Sequence, residues 1–374
     1  MREKTYAEFI SEGSVSLNNR RAERGLFELT YRCNLNCIHC YCKGSEELER
    51  ELTTKEIKDI LYQIHKEGCL EITFTGGEPL VREDFLQIYS YAKEKGFVIT
   101  IFTNGLLFTR NIIEYLVKSP PFSIEITLNG ITKATYESIT QVEGSFERVI
   151  GRIRELKKIG LPLILKSNLL KQNRNEIGRI KAFVDELLGK GKGKYYFKYD
   201  PMIYPRLNGD KTPCQHRLSF KELLEVKRQD PDIWQEYQKG LHSDFSDFRR
   251  DRSFLYHCNA WMSQFFINPY GRLKFCQFTE KFSVDLKTTS FKEGFYKVFP
   301  KVLNEQYRTN SKCQDCILRL LCYHCPARAY LETGDEEAPV EYYCELAKAL
   351  EKEMKAKRLT PDKTAHQNEV PVLQ

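Results

Sequence analysis

Residues 25–42 read GLFELTYRCNLNCIHCYC, a short apolar segment running straight into four cysteines. GLFELTY has the aromatic-rich composition and polar boundary of a β-strand. The thiols that follow, Cys33, Cys37, Cys40 and Cys42, are spaced C-x3-C-x2-C-x-C. Clustered thiolates are the usual ligands of iron–sulfur clusters and of zinc. Cys33, Cys37 and Cys40 on one loop would hold a four-iron cluster with one iron uncapped. A structural zinc would need a fourth ligand, from Cys42 or His39. Side chains two residues apart on an extended chain share a face but stand roughly 6–7 Å apart along it, too far for one metal ion. Closing a metal site with both Cys40 and Cys42 therefore asks for a sharp local turn, which the three-thiol arrangement does not need.

Outward from this stretch, strand-like and helix-like segments alternate to about residue 200. The strand candidates are GLFELTY, LEITFTG, FVITIFT, FSIEITL, LPLILKS and KYYFKYD. Between them, TKEIKDILYQIHKE, REDFLQIYSYAKEK, RNIIEYLVKS, SFERVIGRIRELKKI and RNEIGRIKAFVDELL have helical spacing. Such βα repeats predict a parallel sheet, open and doubly wound or part of a barrel. In these folds functional groups gather where strands end. Past successive strands stand Cys33, then Gly76-Gly77-Glu78-Pro79, Thr103-Asn104-Gly105, Leu128-Asn129-Gly130 and Ser167-Asn168. One such loop is a turn; five in register point to a shared site. In it, Gly76 and Gly77 would let backbone approach a ligand closely, and Glu78 would be placed to hold an ammonium group.

The composition narrows the classes of protein. The chain has 374 residues and a net charge of +7, with basic residues dispersed, which argues against nucleic-acid binding. The N-terminus is charged throughout rather than signal-like, and no apolar run is long enough to span a membrane, so a cytoplasmic location is expected. Thirteen cysteines in that reducing compartment read as metal ligands rather than disulfides. Residues 201–257 read as a polar linker, and 351–374 as a disordered tail. Residues 258–350 form a cysteine-rich unit carrying Cys258, Cys276, Cys313, Cys316, Cys322, Cys325 and Cys344. INPYGRLKFC there predicts a hairpin that delivers Cys276.

The C-x3-C-x2-C motif followed by GGEP resembles the radical S-adenosylmethionine (SAM) enzymes, over about residues 25–200. The C-x12-G-x4-C spacing from Cys258 to Cys276, with the cysteines after it, resembles the SPASM extension of radical SAM peptide-modifying maturases. The resemblance implies an α/β fold: a partial (β/α)6 barrel, TIM-like, with a small C-terminal iron–sulfur domain. It implies SAM and three 4Fe-4S clusters as cofactors. Cys33, Cys37 and Cys40 would hold the SAM-binding cluster. Cys258, Cys276 and Cys325 would hold one auxiliary cluster, and Cys313, Cys316, Cys322 and Cys344 the other. Gly76, Gly77, Glu78, Thr103, Asn104, Asn129, Ser167 and Asn168 would contact SAM. Asn129 stands where many relatives have Asp. Cys214 is a candidate for the missing fourth ligand of the first auxiliary cluster.

The implied activity is reductive cleavage of SAM to a 5′-deoxyadenosyl radical that abstracts hydrogen from a peptide or protein, most simply a ribosomally made peptide. A porphyrin- or quinone-type cofactor precursor is the alternative substrate, and a non-catalytic electron carrier the alternative outside enzymes. A reductant such as flavodoxin or ferredoxin is implied. About 24 residues before the first strand are too few for a leader-recognition domain, so either a separate protein recognises the leader or the substrate is not a leader-bearing peptide. Sulfatase maturation is disfavoured, because Gln277 stands where those enzymes carry an Asp. Beyond the ligands, Tyr199, Asp200, Tyr204 and Arg206 fall at the same barrel mouth. His257 and Trp261 flank Cys258, Cys69 is expected as a core thiol, and Cys42 as a packed thiol beside the cluster loop.

Overall fold

The structure, a computed structural model, describes residues 20–44, 50–189, 196–231, 233–235, 237, 253–258 and 260–358. Six parallel strands follow the predicted order: β1 (Arg24–Thr30), β2 (Glu71–Gly76), β3 (Val98–Thr103), β4 (Ser123–Thr127), β5 (Leu163–Asn168) and β6 (Phe197–Asp200). Each pairs with its neighbour in sequence, as right-handed βα units require. Helices α1 (Thr54–Lys66), α2 (Phe85–Glu94) and α3 (Arg110–Lys118) connect them, then α4 (Lys133–Thr140), α5 (Ser145–Lys158) and α6 (Ile177–Leu188). Local chemistry sets several helix ends. Thr53 closes a capping box with Glu56 at the start of α1, and Thr109 caps α3 through the Ile112 N–H. Helix α4 is absent from the periodic segments of the sequence; Thr132 and the Glu176 carboxylate hold its first turn.

The strands divide their two faces sharply. Phe27, Phe74, Ile101, Ile126 and Leu165 point toward the helices and are fully buried. The alternate positions, among them Thr75, Phe102, Thr127, Lys166 and Lys198, line an internal cavity. A closed eight-stranded barrel fills its interior with branched apolar side chains. Here threonines, asparagines and two lysines share the lumen with apolar side chains around an open cavity, so it is a chamber rather than a filled core.

The cysteine-rich region is built onto this sheet. Strand β7 (Gln264–Ile267) adds to β1 in parallel, and β8 (Arg272–Lys274) and β9 (Val284–Asp285) continue antiparallel, giving a nine-stranded sheet. The sheet therefore runs across the boundary drawn at residues 257 and 258. The predicted hairpin is present: Gly271 adopts φ +90° in the turn, and Asn268 bonds the Tyr270 and Arg272 amides. Phe265 of β7 packs edge-on against Phe291, 4.8 Å away, and a side chain at Gly25 would collide with its ring. Phe265→Ala should therefore cost about 3–5 kcal/mol, read as a lowered urea midpoint of the apo-protein.

Helices α7 (Phe220–Gln229), α8 (Pro326–Thr333) and α9 (Glu341–Arg358) complete the described chain. Helix α9 runs through Arg358, so residues 351–358 are helical and not a disordered tail. Residues 359–374 and 1–19 lie outside the described residues. Among the described residues no helix is long and apolar enough to cross a membrane.

Candidate active site

The loop after β1 carries Cys33, Cys37 and Cys40 to the wall of a cavity of about 440 Å³. Backbone bonds from Asn36 to Thr140 (3.0 Å) and from Ile38 to Ile139 (3.0 Å) moor this loop on the end of α4. The Asn104 amide bonds the Asn34 carbonyl oxygen at 2.8 Å and approaches the Cys33 Sγ at 3.7 Å. Burial and the two neighbouring thiols push the Cys37 thiol upward. Such thiols give up protons readily only to a metal. Cys42 lies outside the cavity wall: it is 2% exposed, packs with Tyr31 and Tyr270 and against Cys40, and its sulfur approaches the buried Glu28 carboxylate at 3.9 Å. That is the packed thiol expected of it.

The GGE segment lies along the backbone entering this loop. Gly77 N–H bonds Thr30 O at 2.7 Å and Glu78 N–H bonds Arg32 O at 3.0 Å. Gly76 adopts φ +132°, and a Cβ on Gly77 would stand 2.4 Å from Arg32 O. These glycines thus permit chain-to-chain contact as well as lining the cavity.

The Glu78 carboxylate, 0% exposed, accepts bonds from Leu80 N–H (3.1 Å), Thr103 Oγ1 (2.8 Å) and Asn104 N–H (2.7 Å). The side chain braces the ends of β2 and β3 and lies just behind the residues that line the cavity. Burial nonetheless pushes this carboxyl up to about 7, the three donors only partly opposing the shift.

Thr103, Asn104, Asn129, Ser167 and Asn168 all line the same cavity. Asn129 Oδ1 accepts from Ser167 Oγ (3.2 Å) and Asn168 N–H (2.8 Å), which locks the ends of β4 and β5 together. The sequence pattern does not mark the residue beneath them. Asn173, 0% exposed, donates to Asn129 O at 3.1 Å and Asn168 O at 2.8 Å, and takes the Leu170 N–H on its Oδ1. His39 also lines the cavity; its buried Nδ1 has no hydrogen-bond partner, and burial pushes the imidazole down to about 4. An orphaned imidazole nitrogen, three thiols and the strand-end asparagines that line the cavity are polar groups of the kind that an iron–sulfur cluster with bound SAM engages, so the residues fit that group.

Tyr199, Asp200 and Tyr204 reach the cavity too, whereas Arg206 is paired with Asp210 at 2.6 Å. Tyr204 connects the chamber to the cysteine-rich region. Its ring lies 4.7 Å from Phe278, and the Arg328 guanidinium sits 4.7 Å above it. Gln277, beside Cys276, lines the same cavity. The remaining thiols fall into two sets by mutual electrostatic influence. Cys258, Cys276 and Cys325 form one, and Cys313, Cys316, Cys322 and Cys344 the other. Cys214 is influenced instead by Arg217 and Glu332, and by neither thiol set. Trp261 is a core residue, 1% exposed, under the Arg20 guanidinium, and Cys69 is buried with its sulfur on the Glu23 and Glu71 carbonyls. Among the described residues, no three His, Cys, Asp or Glu side chains converge tightly enough for a single metal ion.

Residues 27–184 match the family described as Radical SAM superfamily. The matched segment is a radical SAM domain, with SAM as its cofactor. It is 26% identical to the AdoMet-dependent heme synthase of Methanosarcina barkeri over 85% of this chain and 95% of that one. It is 31% identical to the mycofactocin maturase MftC of Mycolicibacterium smegmatis, over only 37% of each chain. The fold is that of SuiB from Streptococcus suis solved with its precursor peptide SuiA: TM-score 0.64, 17% identity, 88% of this chain and 76% of that one.

Proposed function

We propose that the chain is a peptide-modifying radical SAM enzyme with three 4Fe-4S clusters. One is held by Cys33, Cys37 and Cys40, one by Cys258, Cys276 and Cys325, and one by Cys313, Cys316, Cys322 and Cys344. The observation that carries this reading is the chamber of about 440 Å³ with all three cluster-loop thiols in its wall. When bound at an uncapped iron, SAM supplies a 5′-deoxyadenosyl radical that abstracts hydrogen from a substrate carbon. The protein's part is to hold that carbon in the lumen and exclude water.

A peptide substrate is supported by the maturase relative and by the likeness of the fold to SuiB. A reductant such as flavodoxin or ferredoxin, and a separate leader-recognition protein, belong to this reading. A tetrapyrrole is the second candidate, because the resemblance to the heme synthase spans the cysteine-rich region as well as the barrel.

The test is anaerobic reconstitution followed by incubation with SAM and dithionite. We expect about twelve irons per chain, four for each cluster, and 5′-deoxyadenosine in the product. Absence of 5′-deoxyadenosine would refute the reading, and about four irons would refute the auxiliary clusters.

A further inference from the structure

Two lysines face each other inside the barrel. Lys166 of β5 and Lys198 of β6 are directly paired in register, and both line the cavity. Like charges directly opposite across a strand pair are destabilising, and such a broken local rule is expected where a site needs it. One carboxylate serves both: Glu125 of β4, 3.7 Å from the Lys166 ammonium and 3.4 Å from that of Lys198. Lys166 is largely enclosed and sits over the Phe102 ring, while the Lys198 side chain remains 59% exposed to the lumen. The other lumen carboxylate, Asp200, bonds the Met202 N–H at 2.8 Å and faces Arg328. With both ammonium groups protonated the pair holds one cation more than Glu125 neutralises, and burial, which pushes Lys166 down to about 7, leaves Lys198 as the lasting charge. The pair lies two residues below the strand ends that carry Asn168 and Asp200.

We propose that Lys166 and Lys198 bind a carboxylate of the substrate and so place its reacting carbon beneath the SAM site. This rests on the lumen being the substrate chamber of the enzyme proposed above. The ligand chemistry is a carboxylate, supplied either by an acidic peptide or by a propionate-bearing tetrapyrrole.

The test uses reconstituted, SAM-loaded protein and two probe pairs. One is coproporphyrin III against its tetramethyl ester, followed by fluorescence. The other is a blocked pentapeptide pool with central Glu against the same pool with Gln, followed by saturation-transfer NMR. In one pair the acid should bind about tenfold tighter or more, the scale of one charge-assisted hydrogen bond, and the pair that responds identifies the source. That preference should fall to about twofold or less in Lys198→Gln and persist in Lys198→Arg, which keeps the charge and controls for folding. No preference in either pair, or a preference that survives Lys198→Gln combined with Lys166→Met, would overturn the proposal. So would a loss of SAM affinity in those variants with probe preferences unchanged, since the lysines would then hold the cofactor's own carboxylate. Failure of the enzyme reading itself is separate: it appears as absent 5′-deoxyadenosine in the unaltered protein.

Discussion

Cys33→Ala is expected to abolish SAM cleavage, with 5′-deoxyadenosine falling to the level of a protein-free control. Cys33, Cys37 and Cys40 stand on one loop, and among the described residues no other thiol lines the cavity. Cys42, the nearest candidate, is buried against Tyr31 and Tyr270 with its sulfur toward Glu28. Reaching the cavity would mean stripping it from that packing. The variant should therefore lose about four irons per chain, the content of one cluster, and retain those of the auxiliary sites. Cys42→Ala should keep both iron and SAM cleavage. A Cys33→Ala protein that retains full iron and turns over SAM would show that another side chain completes the site.

The second large effect is expected at Glu78. Glu78→Ala leaves the Leu80 and Asn104 N–H groups and the Thr103 hydroxyl without the acceptor they now share. Each buried donor left unpaired costs about 1–3 kcal/mol, so a loss of roughly 3 kcal/mol or more is expected in urea unfolding of the apo-protein. SAM affinity should fall with it, because the ends of β2 and β3 lose their brace. The pH dependence has a definite sign. The native carboxyl lies at about 7, above its ordinary 4.5, so the folded state holds the proton more tightly than the unfolded chain. Stability contributed by this group is fully present below 4.5 and is lost as pH rises to about 7. Relative to Glu78→Gln, the unaltered apo-protein should lose stability between pH 5 and 7 and stay level from 7 to 8. A parallel pair of curves would show that Glu78 is already ionised throughout that range.

Much of the architecture is legible in residue order. The six strands fall within a few residues of the segments rich in β-branched and aromatic side chains, since burying one apolar strand face against helices leaves a strong period-two signal. The strand-end residues are legible for a related reason: parallel βα units deliver every strand's C-terminal end to one side. Helix α4 is not, because TKATYESIT has a weak apolar stripe and its first turn depends on a carboxylate more than forty residues away, Glu176. The lysine pair is equally hidden, being paired only by the register of β5 and β6.

By itself, then, the order of residues determined the parallel fold, the three-thiol loop and the strand ends that surround it, because these follow from short-range spacing and from the handedness of βα units. Tertiary structure alone decided that Glu78 turns inward as a brace, and which buried groups Cys42 packs against. It alone placed β7 on the barrel edge, so that the cysteine-rich region shares the sheet. The reason is physical: these outcomes depend on which buried donor finds which acceptor across dozens or hundreds of intervening residues, and local spacing carries no record of such pairings.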